Sequence, residues 1–194
     1  GHRLAMTKQT LPSGAAQMPS IILPRKAVGE LRKLLDDYDG DVTMSMSETR
    51  AEFAFGAVRL TTKLIDGTFP DYTRVIPTNN DKIMQVDVGA FSAAVDRVST
   101  ISSEKSKSVK IGLRPGVMTL SASNTDASSA TEELEVSYSG NEMEIGFNAR
   151  YLLDIAGQVN GEMVEFALAD QGSPTLVRTP GDDASLFVLM PMRV

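Results

Sequence analysis

Apolar positions along this chain keep two rhythms, and each rhythm predicts an element. Ala27, Val28, Leu31, Leu34 and Leu35 fall at three-and-four spacing, as do Phe91, Ala94, Val95 and Val98, and again Leu152, Ile155, Ala156 and Val159. Such spacing puts each set on one face of a helix. The first helix is predicted over Arg25 to Leu35 with Pro24 at its start, and the third follows Asn148 as a side-chain cap. After each helix the rhythm shortens to alternation, which marks half-buried strands. Val42, Met44 and Met46 lead to Phe53 and Phe55, then to Val58 and Leu60. Val109, Ile111 and Leu113 run through the Pro115-Gly116 turn to Met118 and Leu120, then to Leu134, Val136 and Tyr138. Val164, Phe166 and Leu168 are followed by Leu176, then by Leu186, Val188 and Met190. A short apolar strand is also expected before each helix, at Ile21-Ile22-Leu23, at Met84, Val86 and Val88, and at Met143, Ile145 and Phe147.

One unit of strand, helix and three antiparallel strands therefore occurs three times, at an interval of roughly 55–60 residues. The fold class is α+β. A single unit lays one helix on one sheet face and leaves strand edges and apolar surface uncovered, so units should pair into domains. Copies two and three, joined by the turn Tyr138-Ser139-Gly140-Asn141, are expected to form a complete domain over residues 80–194. Copy one stands without a partner in residues 1–79, with the loop-forming Met6 to Ser20 before it and the turn-forming Pro77 to Asp81 as boundary. Its partner is expected to precede Gly1, and the lack of an initiator Met agrees with a longer parent protein.

Composition narrows the chemistry. The 194 residues are 42% hydrophobic, ample for one or two cores, and contain no cysteine, which excludes disulfides and thiolate metal sites. No apolar run approaches the ~20 residues that cross a bilayer, and Gly1 to Ala5 lacks the layout of a secretory signal, so a cytoplasmic protein is expected. His2 is the only histidine, and without a second His or a Cys it cannot build the usual metal clusters. Asp36-Asp37-Tyr38-Asp39-Gly40-Asp41 has acidic spacing like a calcium loop, but Val42 takes the place that needs glycine, so a solvated turn is expected. No glycine-rich phosphate loop is present, and Ser102 to Ser108 reads as a solvated loop. No catalytic residue, metal ligand or cofactor is assigned.

A net charge of −6 argues against whole-surface attraction to nucleic-acid phosphates. The helices differ: Arg25, Lys26, Arg32, Lys33, Arg97 and Arg150 stand against only Glu30, Asp96 and Asp154. Those cations read either as ordinary solvated faces or as a loose, base-independent contact with DNA. The tail Val188-Leu189-Met190-Pro191-Met192-Arg193-Val194 is apolar where termini are usually polar. It reads either as a last core strand or as one wall of a groove, since methionine adapts to varied partners and Pro191 interrupts a strand ladder.

Several separate stretches then carry a resemblance. Gly1-His2-Arg3-Leu4-Ala5, Lys63-Leu64-Ile65-Asp66-Gly67-Thr68-Phe69-Pro70-Asp71-Tyr72, Tyr138-Ser139-Gly140, Glu144-Ile145-Gly146-Phe147-Asn148 and Val188 to Arg193 closely resemble the beta sliding clamp family of bacterial DNA polymerase III, in order and over essentially the whole chain. The resemblance implies a DNA-clamp fold of three similar domains per subunit, with antiparallel sheets outside and helices lining a central pore. Residues 1–79 would be the second half of the middle domain and residues 80–194 the C-terminal domain. It further implies a non-enzymatic processivity factor, cytoplasmic and nucleoid-associated, that encircles duplex DNA as a head-to-tail homodimer. Polymerase subunits, the clamp loader and repair proteins would bind a cleft through short linear motifs rich in Gln and Leu.

Carried over by matching motif, the walls of that cleft are His2, Arg3, Leu4, Pro70, Arg74 and Val75, with Asn148, Tyr151, Val188, Met190, Pro191, Met192 and Arg193. Pro174 and Val194 complete the set at places where the family often differs, and Thr78 stands where some relatives are basic. Arg25, Lys26, Arg32, Lys33, Arg97 and Arg150 would face DNA, and Ile101, Glu132 and Glu135 would meet the second subunit. The alternative is a β-rich enzyme or ligand-binding domain that shares the repeat but not the ring.

Overall fold

A computed structural model describes residues 2–102, 107–124 and 127–193. After β1 (Arg3–Thr7), copy one supplies α1 (Arg25–Leu35), β2 (Thr43–Met46), β3 (Arg50–Phe55) and β4 (Val58–Lys63), followed by a 3-10 turn over Tyr72–Val75. Copy two supplies β5 (Lys82–Asp87), α2 (Val88–Ser99), β6 (Ser108–Arg114), β7 (Val117–Ser123) and β8 (Ser129–Glu135). Copy three supplies β9 (Met143–Asn148), α3 (Ala149–Ala156), β10 (Met163–Leu168), β11 (Thr175–Arg178) and β12 (Ser185–Leu189). All three expected helices form, and the Oδ1 atoms of Asp87 and Asn148 cap α2 and α3 by accepting from Ala90 and Tyr151 N–H.

The chain divides into two compact units, Gly1–Thr10 with Asp71–Val194, and Leu11–Pro70. The larger unit has two antiparallel sheets, β1-β12-β11-β10-β5 and β8-β7-β6-β9. Copies two and three thus exchange their first strands, β5 lying beside β10 and β9 beside β6. Helices α2 and α3 pack on each other and on the sheets, and one core runs through Phe91, Phe147, Phe166, Ile111 and Leu152. Each copy also closes on itself by one equivalent bond. Ile65 N–H donates to Ile22 C=O at 2.9 Å in copy one, Ser137 N–H to Gln85 C=O at 2.9 Å in copy two, and Met192 N–H to Gly146 C=O at 2.8 Å in copy three. A repeat read from hydrophobic spacing is therefore a repeat of hydrogen bonds as well.

The smaller unit holds the β2-β3-β4 sheet with α1 laid on it through Leu31 and Leu35, around buried Ala51, Phe53 and Phe55. Val28 sits four places into α1, where α2 has Phe91 and α3 has Leu152; those two are 1% exposed and Val28 is 48% exposed. Ile21-Ile22-Leu23 does not form the expected strand. In the complete pair such a strand lies in the sheet of the other copy, and copy one has no second copy beside it among the described residues.

The larger compact unit takes in Gly1–Thr10 because β1 is hydrogen-bonded along its length to β12. One further expectation changes. Alternation in β11 and β12 also runs in the opposite phase: Val177, Phe187 and Leu189 face the core, while Leu176, Leu186 and Val188 take the outer face. Five consecutive apolar residues, Leu186 to Met190, leave the phase open to the eye, and packing chooses it.

Candidate functional site

Strand register assembles the site. Leu4 of β1 pairs with Val188 of β12, Val188 with Leu176 of β11, Leu176 with Ala167 of β10, and Ala167 with Ile83 of β5. Neighbours across a ladder share a face, so an apolar row crosses all five strands on the side away from the core. At the end of this row the chain leaves the sheet. Met190 N–H donates to His2 C=O at 2.9 Å, extending the β1-β12 pairing, and Met192 then crosses to Gly146 on β9. Pro191 stands between the two bonds, where its missing N–H costs no ladder partner.

The resulting surface has buried and exposed parts. Val188 is 3% exposed, whereas Met190 is 36% and Ile83 42% exposed. Pro174 precedes β11, and its carbonyl accepts from the Asn80 amide at 2.9 Å; the same amide donates to Ala167 C=O at 2.8 Å. One side chain thus fixes the base of the β10-β11 connection, which no sequence pattern announced.

On the helix side, Arg3 lies over the Tyr151 ring with its guanidinium carbon 4.3 Å from the centroid, and ion-pairs with Asp154. Register explains the placement, because Arg3 pairs with core-facing Leu189 and so points to the face opposite Leu4. Asn148 joins this group as the cap of α3. Of the expected cleft residues, Leu4 and Val188 lie on the outer face, Arg3 lies on the helix side with Tyr151 and Asn148, and the tail from Met190 to Arg193, bonded to His2 and then to Gly146, runs from β12 to β9; Pro174 precedes β11. Arg74 is engaged locally, its Nε 3.0 Å from Asp71 on the 3-10 turn that also carries exposed Val75. Pro70 ends the smaller unit, and Val194 lies outside the described residues.

The charged candidates separate into two groups. Arg25, Lys26, Arg32 and Lys33 are exposed on α1, Lys33 reaching Glu30 at 3.4 Å, and Arg150 is exposed on α3. Arg97 instead forms a two-pronged pair with Glu132, its Nε 3.0 Å from Oε2. The pair holds the Glu132 carboxyl below its ordinary range, mainly through the hydrogen bond from Arg97 and against the cost of burial. Two expected roles, DNA contact for Arg97 and subunit contact for Glu132, thus meet in one ion pair. Glu132 shares the core side of β8 with Ala130 and Leu134, while Glu133 and Glu135 take the other side; β8 is the outer strand of its sheet, and Ile101 follows α2 half-buried.

No group of three or more His, Asp or Glu side chains converges to hold a metal among the described residues, the Asp36 to Asp41 stretch included. Residues 103–106 of the expected solvated loop lie outside the described residues. No helix among the described residues is long and apolar enough to cross a membrane. A concavity of about 880 Å³ opens over β6, β7 and β9; both of its cations are paired, Lys110 with Glu144 at 3.0 Å and Arg114 with Glu133 at 2.9 Å.

Paired repeats of strand, helix and three strands, with sheets joined through exchanged first strands, define a clamp-type fold. Comparison with known proteins gives the family. Residues 1–71 match the central domain of the DNA polymerase III beta subunit and residues 73–193 its C-terminal domain, so the chain belongs to the DNA polymerase III beta subunit family. It is 51% identical over 194 residues to the beta sliding clamp of Caulobacter vibrioides and 38% identical to that of Pseudomonas putida; the alignments take in the whole chain but only 52% and 53% of those proteins. Among solved structures, the DnaN sliding clamp of Bartonella birtlesii bound to griselimycin superposes with a TM-score of 0.96 at 49% identity, covering 100% of this chain and 52% of that one. The chain thus spans about half the length of the relatives it matches.

Proposed function

We propose that this chain is the middle-to-C-terminal part of a sliding clamp, a non-enzymatic processivity factor of the bacterial cytoplasm and nucleoid. In the whole protein a repeat preceding Gly1 pairs with copy one, and two subunits close head to tail around duplex DNA. The exposure of Val28, at a place buried in both complete copies, supports that missing cover. Arg25, Lys26, Arg32, Lys33 and Arg150 supply cations toward the DNA, and the outer strand β8 with Ile101, Glu132 and Glu135 supplies the subunit contact. Polymerases, the clamp loader and repair proteins bind the groove through short extended motifs.

The observation that carries the groove is the apolar outer row of Leu4, Val188 and Leu176 continuing into the Met190 to Met192 tail. An extended ligand with alternate apolar side chains suits such a surface, where burial of those side chains supplies affinity and a few polar groups fix direction. Met190→Asp is the discriminating variant, since its side chain is already partly in water and the fold should tolerate the charge. Anisotropy titration with a labelled peptide rich in glutamine and leucine should show affinity reduced by more than about tenfold. Unchanged affinity in a folded variant would remove the tail from the site.

A further inference from the structure

Asp154 has no part in the groove as the sequence motifs define it, yet it is ion-paired with Arg3, one of the expected groove residues. Tyr151 and Asp154 stand three residues apart on α3 and so share a face. The Arg3 guanidinium reaches both, lying on the Tyr151 ring and pairing with the Asp154 carboxylate. Its partner's charge comes from a position 151 residues away along the chain. The side chains of Arg3 and Asp154 remain 45% and 51% exposed, so the pair adds little to the stability of the fold. Its effect is on freedom. A free arginine loses much rotamer entropy when a ligand immobilises it, whereas one clamped between a ring face and a carboxylate has lost that entropy beforehand.

We propose that Asp154 is a positioning residue of the peptide groove, holding the Arg3 guanidinium flat on Tyr151 so that its remaining N–H donors meet an extended peptide already oriented. The role rests on the groove reading above. It requires a planar cation, because only a guanidinium can lie on the ring and present a fork of donors at once. It also requires a carboxylate, because an amide supplies a hydrogen bond but no charge.

The test is a titration of a labelled peptide rich in glutamine and leucine against the whole chain and its variants. Asp154→Asn should weaken binding about three- to tenfold, the loss expected from freeing one rotamer-rich side chain. Asp154→Glu should recover most of it. In an Arg3→Lys background Asp154→Asn should add no further loss, since lysine cannot hold the flat arrangement. The difference between wild type and Asp154→Asn should shrink as salt is raised, because screening weakens the pair that orients Arg3. If Asp154→Asn binds as wild type while Met190→Asp does not bind, the positioning role is wrong and the groove stands. If neither variant changes binding, the groove reading fails and the role of Asp154 falls with it.

Discussion

At the scale of the residue, the turn Tyr138-Ser139-Gly140 shows why a short motif can be so specific. Tyr138 Oη donates to Asn141 C=O at 2.6 Å, and a Cβ on Gly140 would come within 2.5 Å of the Tyr138 Oη. Glycine is needed there for room. The pair Tyr38 and Gly40 in copy one repeats the arrangement, with the Tyr38 hydroxyl donating to Asp41 C=O and accepting from Gly56 N–H. Thr175 is the opposite case, a buried group with no local rule behind it. It faces Leu189 across the ladder at 0% exposure, and its hydroxyl has no hydrogen-bond partner among the described residues. A buried hydroxyl left unpaired costs about 1–3 kcal/mol. Thr175→Val keeps the shape and removes that cost, so stability should rise by about 1 kcal/mol and the melting temperature by about 2–4 °C in a thermal scan.

At the scale of the element, the outer face of the larger sheet is held by a ladder of polar side chains beside the apolar row. Glu165 on β10 accepts from Gln85 of β5 at 2.8 Å and from Arg178 of β11 at 2.8 Å, while Arg178 also reaches Asp183 at 3.3 Å. Three strands are thereby cross-linked. Burial raises the Glu165 pKa, but the hydrogen bonds from Gln85 and Arg178 and the Arg178 charge outweigh it, and the carboxyl ends below its ordinary range. A lowered carboxyl pKa gives stability that is whole above the unfolded value of about 4.3 and is lost as pH falls through the folded value. Glu165→Gln should therefore cost about 1 kcal/mol at neutral pH, at the low end because Arg178 is a third exposed. Denaturant curves of the variant should converge on those of wild type as the pH drops below about 4. A constant gap at every pH would show that the charge of Glu165 contributes nothing.

At the scale of the whole molecule, the proposed contact of an acidic chain with DNA rests on a local cationic face. Net charge is −6, yet the four α1 cations stand exposed together. Contacts with phosphates release counterions and leave base identity unread. Replacing Lys26 and Arg32 by alanine should lower the slope of log affinity against log salt by about 2 for duplex DNA, whatever its sequence. Peptide affinity should stay as it was. A marked preference of the wild-type protein for one DNA sequence would contradict the reading.

The sequence by itself determined the three helices, the three strands that follow the helix in copies one and two, the threefold repeat and the family, because all of these rest on local periodicity or short motifs. Ala27 to Leu35, Phe91 to Val98 and Leu152 to Ala156 could be placed on helix faces without knowing what they face, while Val159 falls past the end of α3. It also supplied most residues of the candidate groove, through Gly1 to Ala5, Asn148 and the Val188 to Arg193 tail. Tertiary structure decided the rest. Leu186, Phe187, Val188 and Leu189 are apolar on both faces of β12, so only packing against β1 and β11 could assign Val188 outward and Leu189 inward. The exchange of β5 and β9 between copies depends on which edge is free once both helices are in place. Arg97 with Glu132, and Arg3 with Tyr151 and Asp154, join residues far apart in the chain. No spacing rule connects such residues, because their distance is set by how strands and helices stack and not by how they follow one another.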